Sequence, residues 1–466
     1  MSGAELKDED GTRTPATTQV SAFRRIHHAA LIHESQRDTL MQRRHLFCVL
    51  LVVLTLTASP QHAFSWSKGH RLIRLWAVAR LPKWQRDLLG SRALSRLCKE
   101  YTSLQDRHAG GKAPELDPYC VVPGVRLSLH DVNPAGPSAK ATLWYMDRIR
   151  EELKSGETDE AMKFLGVLCH WNEDPGSPGA HSSPISEWQL KTLIPPPKQK
   201  QRFNYLFGAG GIMDTGDYKI PDVVYRPQLL GRTREEAALR ILQHQRLLQR
   251  RAGTRIIPIV QDEMYGDGRK ALEHHAEAAL DNARHTADVI YTTLCLATGR
   301  FDNDQPSRNR QPLAEWLPEF RGGMIPHPYY VNPFLVNQSM DARRQLHPLA
   351  LPEDGSKILS GYGMGTPFSL DFVLAPGTVF DRFSCQVGLH PTAGPRGSVA
   401  FVVFANGKPL IRTKPMKPGN PPVTIQVALP QTDILTLSLR TIAQDGSTAS
   451  HNLTTWGNPT LHRRAN

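Results

Sequence analysis

The chain has 466 residues, of which 40% are apolar and 21% charged, an ordinary globular balance at a length that suits two or three domains. This balance excludes a mostly disordered chain, and since a single stretch approaches membrane length it also excludes a multi-span membrane protein. Lys and Arg number 56 against 44 Asp and Glu, and the resulting +12 suits either a polyanionic partner or a basic surface kept for solubility.

Residues 1–40 are polar, mixed in charge and aperiodic. From Met41 the chain runs basic, then apolar over Leu46–Leu56, and Ala63 and Ser65 place small residues before a cut at Trp66. Basic, apolar, small is the order of a secretory signal peptide, and the apolar run is short of the ~20 residues of a membrane helix. The expectation is a start at Met41, cleavage before Trp66, and a secreted or periplasmic chain without an integral membrane span. An uncleaved anchor is the rival reading. Export permits disulfides. Cys98, Cys120, Cys169, Cys295 and Cys385 follow Trp66. The odd count forbids complete internal pairing, and Cys98–Cys120 is the expected bridge on sequence proximity alone.

Residues 66–300 read as helical. His70–Arg80 carries Leu72, Leu75, Trp76 and Ala79 at helical spacing and stops at Pro82. Ala141–Lys154 and Thr158–Asn172 are further helices, the second with Met162, Leu165, Leu168 and Cys169 inward. A Pro-rich passage runs from Pro184 through Pro197. Arg234–Arg251 is a basic amphipathic helix, and Gly268–Thr298 a long one closed by Gly299. Residues 301–345, rich in Pro, Asn and Arg, are expected as a linker. From about residue 346 the period becomes two, as in Phe368–Leu374, Ser398–Phe404, Val423–Leu429 and Leu435–Arg440. Asn406-Gly407 between two such runs is a hairpin signal. The expected architecture is multidomain: an all-α domain over 66–300, then an all-β sandwich over 346–466.

His170 and Asp174 stand four residues apart, on one helical face, where an imidazole and a carboxylate can grip one cation. Nitrogen with oxygen donors suits zinc. A terminal Trp66 would add a free amine and a carbonyl able to form a five-membered chelate, with His70 four residues on.

Trp66, His70, Asp106, His130, His170, Asp174 and His181, in that order, resemble the zinc-dependent phospholipase C and single-strand-specific nuclease superfamily. The resemblance covers roughly residues 66–300. It implies that Asp106, His130, His170 and Asp174 hold one Zn2+. Trp66 and His70 would hold a second, with Asp174 bridging. His181 would belong to a third zinc, whose remaining ligands are missing where the family has them; His244, or His274 with Glu277, are the substitutes the sequence offers. His108 competes with Asp106, and Asp131 with His130. Asp106 is the catalytic candidate, binding metal and orienting water. The implied reaction is hydrolysis of a phosphodiester in single-stranded nucleic acid or phospholipid, with two zinc ions expected and the third site doubtful. Trp171 and Trp188 are candidates for base stacking.

Gly361–Pro367, Phe380–Gly388, Gly394–Phe404 and His451–Leu461 resemble the NPCBM module, a carbohydrate-binding module associated with glycosyl hydrolase family 98. The resemblance implies a galactose-binding-like jelly roll and a glycan partner, with Tyr362, His390 and Trp456 as candidate contacts. Asn337 and Asn452 open glycosylation sequons. The functional expectation is a secreted zinc phosphodiester hydrolase carrying a carbohydrate-binding module. The alternatives are a non-catalytic glycan-binding protein with a degenerate metal site, and a glycosidase.

Overall fold

The computed structural model of the chain describes residues 67–109, 111–126, 132–179, 182, 218–302, 309–321, 334–352, 360–444 and 446–463. The expectations for residues 1–65, Trp66, His130, Asp131, His181 and Trp188 fall outside the described residues.

Helix α1 (Ser67–Ala79) buries Ile73 and Ala77 on the same stripe as His70 and Arg74, so its inner face is polar at one end and apolar at the other. After Pro82 comes α2 (Lys83–Lys99), a helix not anticipated above. Its stripe of Leu89, Ala93 and Leu97 is interrupted by Gly90 at φ 73°, a conformation that a side chain disfavours and that divides the helix in two. The short α3 (Leu104–His108) and a single helical turn at Asp117–Cys120 precede α4 (Pro137–Ser155), which ends on Gly156 at φ 84°. Helix α5 (Thr158–Glu173) is buried almost all round, from Ala161 to His170, which makes it the centre of the helical core. It comes very close to the backbone at Tyr101: a Cβ on Gly166 would lie 2.7 Å from the Tyr101 carbonyl oxygen. The long α6 (Arg234–Tyr265) starts at Thr233, whose side chain accepts from the Glu236 amide, and α7 (Arg269–Thr298) ends on Gly299.

The β half has two facing sheets. One runs in the order β11 (Val423–Ala428), β8 (Phe380–Leu389), β13 (Thr454–Arg463), β6 (Gly361–Met364), β3 (Phe334–Val336), with β1 (Arg310–Pro312) also pairing β13. The other runs β10 (Lys408–Arg412), β9 (Val399–Ala405), β12 (Leu435–Ala443), β7 (Phe368–Leu374), β2 (Glu319–Arg321). A hairpin of β4 (Gln338–Met340) and β5 (Leu346–Pro348) stands apart. Alternate residues from both sheets, among them Phe372, Phe383, Phe401 and Leu437, fill the space between them. Asn406 at φ 49° and Gly407 at φ 76° make the expected hairpin turn from β9 to β10.

Residues 301–345 are not a linker, because they supply β1, β2, β3 and β4, three of them edge additions to the sandwich. These strands are three residues long, too short for an alternating pattern to show. The Cys98–Cys120 bridge is also not formed, and both thiols are free and buried. Cys98 lies in the field of Arg74 and Glu173 and Cys120 in that of Asp117, two separate surroundings.

Helix α6 joins the two halves. Leu239 belongs to the sandwich core, while Ile241 belongs to the helical one. Arg240, 1% exposed, donates to Gln311 (2.7 Å) and pairs with Glu236 (3.1 Å), and Arg463 of β13 reaches the same Glu236 (3.2 Å). Gln243 donates to the Val373 carbonyl of β7 (2.9 Å).

Candidate metal centre

Three elements converge at the C-terminal end of α5. Helix α1 brings His70, α3 brings Asp106, and α5 with the turn after it brings His170 and Asp174. One donor atom from each of His70, His170 and Asp174 lies within 4.8 Å of the others, and all three side chains are buried. The two imidazoles stack at 4.3 Å between centroids.

The ring nitrogens divide into two kinds. His70 Nδ1 lies 2.7 Å from Glu173 Oε2, and His170 Nδ1 lies 2.9 Å from the Thr102 carbonyl oxygen. A carboxylate and a carbonyl only accept, so both Nδ1 atoms carry the proton and donate it. In the neutral ring each Nε2 then carries the lone pair, and both face the same carboxylate. His70 Nε2 is 3.3 Å from Asp174 Oδ1, and His170 Nε2 is 3.3 Å from Asp174 Oδ2 and 3.4 Å from Asp106 Oδ1. Donors about 2.0–2.1 Å from a common tetrahedral cation stand roughly 3.3–3.4 Å apart, whereas a charge-assisted N–H···O bond closes to about 2.7–2.9 Å. The Nδ1 contacts have the second spacing and the Nε2 contacts the first. The donor set therefore fits cations, with one oxygen of Asp174 turned to each imidazole.

A buried layer holds this arrangement. Arg74 and Glu173 are both 0% exposed and pair at 3.1 Å. Arg74 also donates to the carbonyls of Leu97 (3.2 Å), Tyr101 (3.0 Å) and Gly166 (2.8 Å). The close approach at Gly166 is what brings that last carbonyl within reach. Glu173 thereby fixes the His70 ring while Arg74 fixes Glu173, the outer-layer arrangement typical of metal-ligating histidines. Gly176, just past Asp174, packs directly on Asn282 of α7, with no room for a Cβ.

The electrostatics agree. Burial and the His170 charge pull the His70 pKa down, but Asp174 and Glu173 reverse this and leave it raised. Burial likewise opposes protonation of His170, yet Asp174 and Asp106 hold its pKa well above the ordinary value. For Glu173, burial works against ionisation and the Arg74 guanidinium overcomes it, leaving the pKa below the usual carboxylate range. The centre is thus a concentrated negative field that draws in protons or cations.

The structure also sorts the competing residues. His108 faces Asp117 (2.6 Å), so Asp106 is the α3 residue at the centre. His274 lies 3.8 Å from Glu277, and His244 packs edge-on against His285, whose pKa burial lowers to about 3. Sequence reasoning missed Glu173 and Arg74. An acidic residue beside a ligand and an arginine four residues after His70 were the available signals.

On the sandwich, Tyr362 and Trp456 are 0% exposed and belong to the core, and His390 is 3% exposed, bonded to Thr392 (2.8 Å) and to the Pro348 carbonyl (3.1 Å). A ring without accessible surface cannot stack on a sugar, so these three are corrected to structural residues. A paired strand position explains the first two, since Tyr362 and Trp456 face each other across β6 and β13.

Residues 331–462 match the NPCBM/NEW2 domain family. A search of curated proteins finds no match. Among solved structures, the chain is similar to CBM51 from Clostridium perfringens GH95 in complex with methyl-galactose, at 16% identity, covering 33% of this chain and 99% of that one, with a TM-score of 0.27. It is similar to the tandem CBM51 modules of the family 98 glycoside hydrolase from Streptococcus pneumoniae, at 10% identity, covering 34% and 48%, TM-score 0.27. It is also similar to Clostridium perfringens alpha-toxin from an avian strain, at 14% identity, covering 86% and 100%, TM-score 0.30.

Proposed function

We propose that this chain is a zinc-dependent phosphodiester hydrolase whose sandwich binds a glycan. The observation that carries the hydrolase reading is the division of the histidine nitrogens. The Nδ1 atoms are locked at hydrogen-bond length, and the Nε2 atoms stand at ligand spacing around Asp174, backed by Asp106. His70 with one oxygen of Asp174 would hold one cation, and His170, Asp106 and the other oxygen a second. The same reading gives Trp66 to the first and His130 to the second, and includes export with cleavage before Trp66. Zinc bound by such donors supplies Lewis acidity and makes water acidic enough to ionise near neutral pH.

The remaining work belongs to the chain. Asp106, 23% exposed where the other three are nearly sealed, lies on the open side of the centre and is placed to orient a water and accept its proton. Glu173 and Arg74 hold His70 in register, and the Thr102 carbonyl does the same for His170. Burial excludes bulk water from the donors' back, and because bound zinc would supply an activated water, no protein nucleophile is required. The glycan reading rests on the family match of residues 331–462 and not on Tyr362, His390 or Trp456.

The test is metal analysis of the purified chain with hydrolysis of bis-p-nitrophenyl phosphate. About two zinc ions per chain and loss of turnover on chelation, restored by zinc, are expected. Full turnover after chelation overturns the reading. A chain extended by one residue before Trp66 checks the amine separately: unchanged zinc content removes Trp66 from the ligand set.

A further inference from the structure

A pocket of about 350 Å³ opens beside α6, lined by Ser182, Arg246, Gln249, Arg250, Thr254 and Leu317. Its charge is lopsided. Arg246 is only 11% exposed, and its ion pair among the described residues is a loose one, 3.6 Å to Glu319, a carboxylate that is itself 52% exposed. Arg250, one turn further along α6, makes no ion pair among the described residues. A largely buried guanidinium with so distant a counter-charge is costly unless an anion completes it. Burial accordingly holds the Arg246 pKa below the usual arginine value.

Helix α6 links the pocket to the candidate centre. Gln245, the residue before Arg246, donates to Asn172 Oδ1 (2.8 Å) and to the Trp171 carbonyl (3.2 Å), and these two residues lie between His170 and Asp174. Ser182 closes the other wall eight residues after Asp174. Planar guanidinium forks on adjacent turns match the oxygens of a phosphate group.

We propose that this pocket is a phosphate subsite, and that its natural occupant is a second phosphate of a substrate carrying phosphodiesters in series, a single-stranded nucleic acid. The inference rests on the phosphodiesterase reading and deepens it. Arg246 and Arg250 bind the neighbouring phosphate while the scissile one sits at the His70, His170 and Asp174 donors. A polymer is thereby held at two points, and a lipid with one phosphodiester at only one.

The experiment uses the full chain and the variants Arg250→Gln, Arg246→Gln and Asp174→Asn, with inorganic phosphate titrated calorimetrically. Arg250 is exposed, so its variant remains informative should Arg246→Gln fold poorly. Wild type and Asp174→Asn are expected to bind phosphate within threefold of each other, and the arginine variants about tenfold more weakly. Phosphate binding that disappears only in Asp174→Asn overturns the subsite and leaves the metal reading standing. Kinetics then separate the sources. In Arg250→Gln, KM for a short single-stranded oligonucleotide should rise about tenfold with less change in kcat. A KM shift of that size for a short-chain phosphatidylcholine instead, or for neither substrate, overturns the assignment of the occupant.

Discussion

Arg74 and Glu173 meet at 3.1 Å with no solvent-accessible surface on either side chain. Glu173 also bonds His70, so the ion pair and this candidate ligand are one mechanical unit. Removing one member of a buried pair typically costs ~3–5 kcal/mol, because the survivor is left uncompensated. Glu173→Gln is expected to destabilise the chain by an amount of that order and to lower zinc affinity ~10–100-fold by freeing the His70 ring. Urea unfolding and a competitive zinc titration measure the two effects. Intact zinc affinity in a folded Glu173→Gln chain would separate the pair from the centre.

Asp174 presents an oxygen to each imidazole, so its amide variant should affect both cations at once. In Asp174→Asn the zinc content is expected to fall well below that of Asp106→Asn, and turnover of an activated phosphodiester to drop at least ~100-fold, as for loss of a metal in a two-metal site. Elemental analysis alongside initial rates decides this.

Protons compete with cations at this centre. The pKa values of His70 and His170 are both raised by the carboxylates around them, so the cation-free centre holds protons to a higher pH than free histidine would. Zinc binding must release those protons, and its affinity is expected to fall as pH drops from 8 towards 6. Calorimetry in buffers of different ionisation enthalpy counts the protons released.

His275 titrates in the opposite sense. It is 1% exposed, stacks on Tyr218, and burial lowers its pKa to about 4, with the His274 charge adding to the effect. The unfolded chain, with an ordinary histidine pKa, therefore binds the extra proton between about pH 6.5 and 4. The stability that this side chain confers by staying neutral is complete above pH 6.5 and is lost as pH falls through that window. Between pH 7 and pH 5 the loss is about 2 kcal/mol. His275→Phe, which keeps the stack, should flatten this part of the pH dependence, as read from urea midpoints at the two pH values.

The contacts through α6 predict joint unfolding of the two halves. Arg240 lies buried between Glu236 and Gln311, and Arg463 reaches the same Glu236. Arg240→Ala is expected to cost about 3 kcal/mol or more and to split a single calorimetric transition into two.

The helical half was legible where apolar residues kept one period. The spacing of Met162, Leu165 and Leu168 placed α5, and the stripe on Ala141–Lys154 placed α4. It was illegible in α2, whose buried face runs Gln85, Leu89, Ala93 and Leu97, half of it polar or small, while Leu88 stays exposed. The sandwich showed itself in its long strands and in Asn406-Gly407, but three-residue edge strands carry no period and were read as linker. At the centre, residue type and order singled out His70, Asp106, His170 and Asp174, and these four side chains lie together in the fold. Glu173 escaped because an acid beside a candidate ligand is a common local pattern, and what distinguishes it is a contact 103 positions away with His70. Tyr362 and Trp456 misled for the converse reason: an aromatic ring looks the same in a sequence whether it faces a sugar or a core.

Since α6 sends Leu239 into one core and Ile241 into the other, the sandwich is not hung from the helices on a string. Under the proposed function, a glycan surface held by the sandwich would meet the candidate metal centre at one height and angle. On that proposal, bonds within that arc would be in reach, and identical bonds a little farther off would stay untouched however long the protein remained attached.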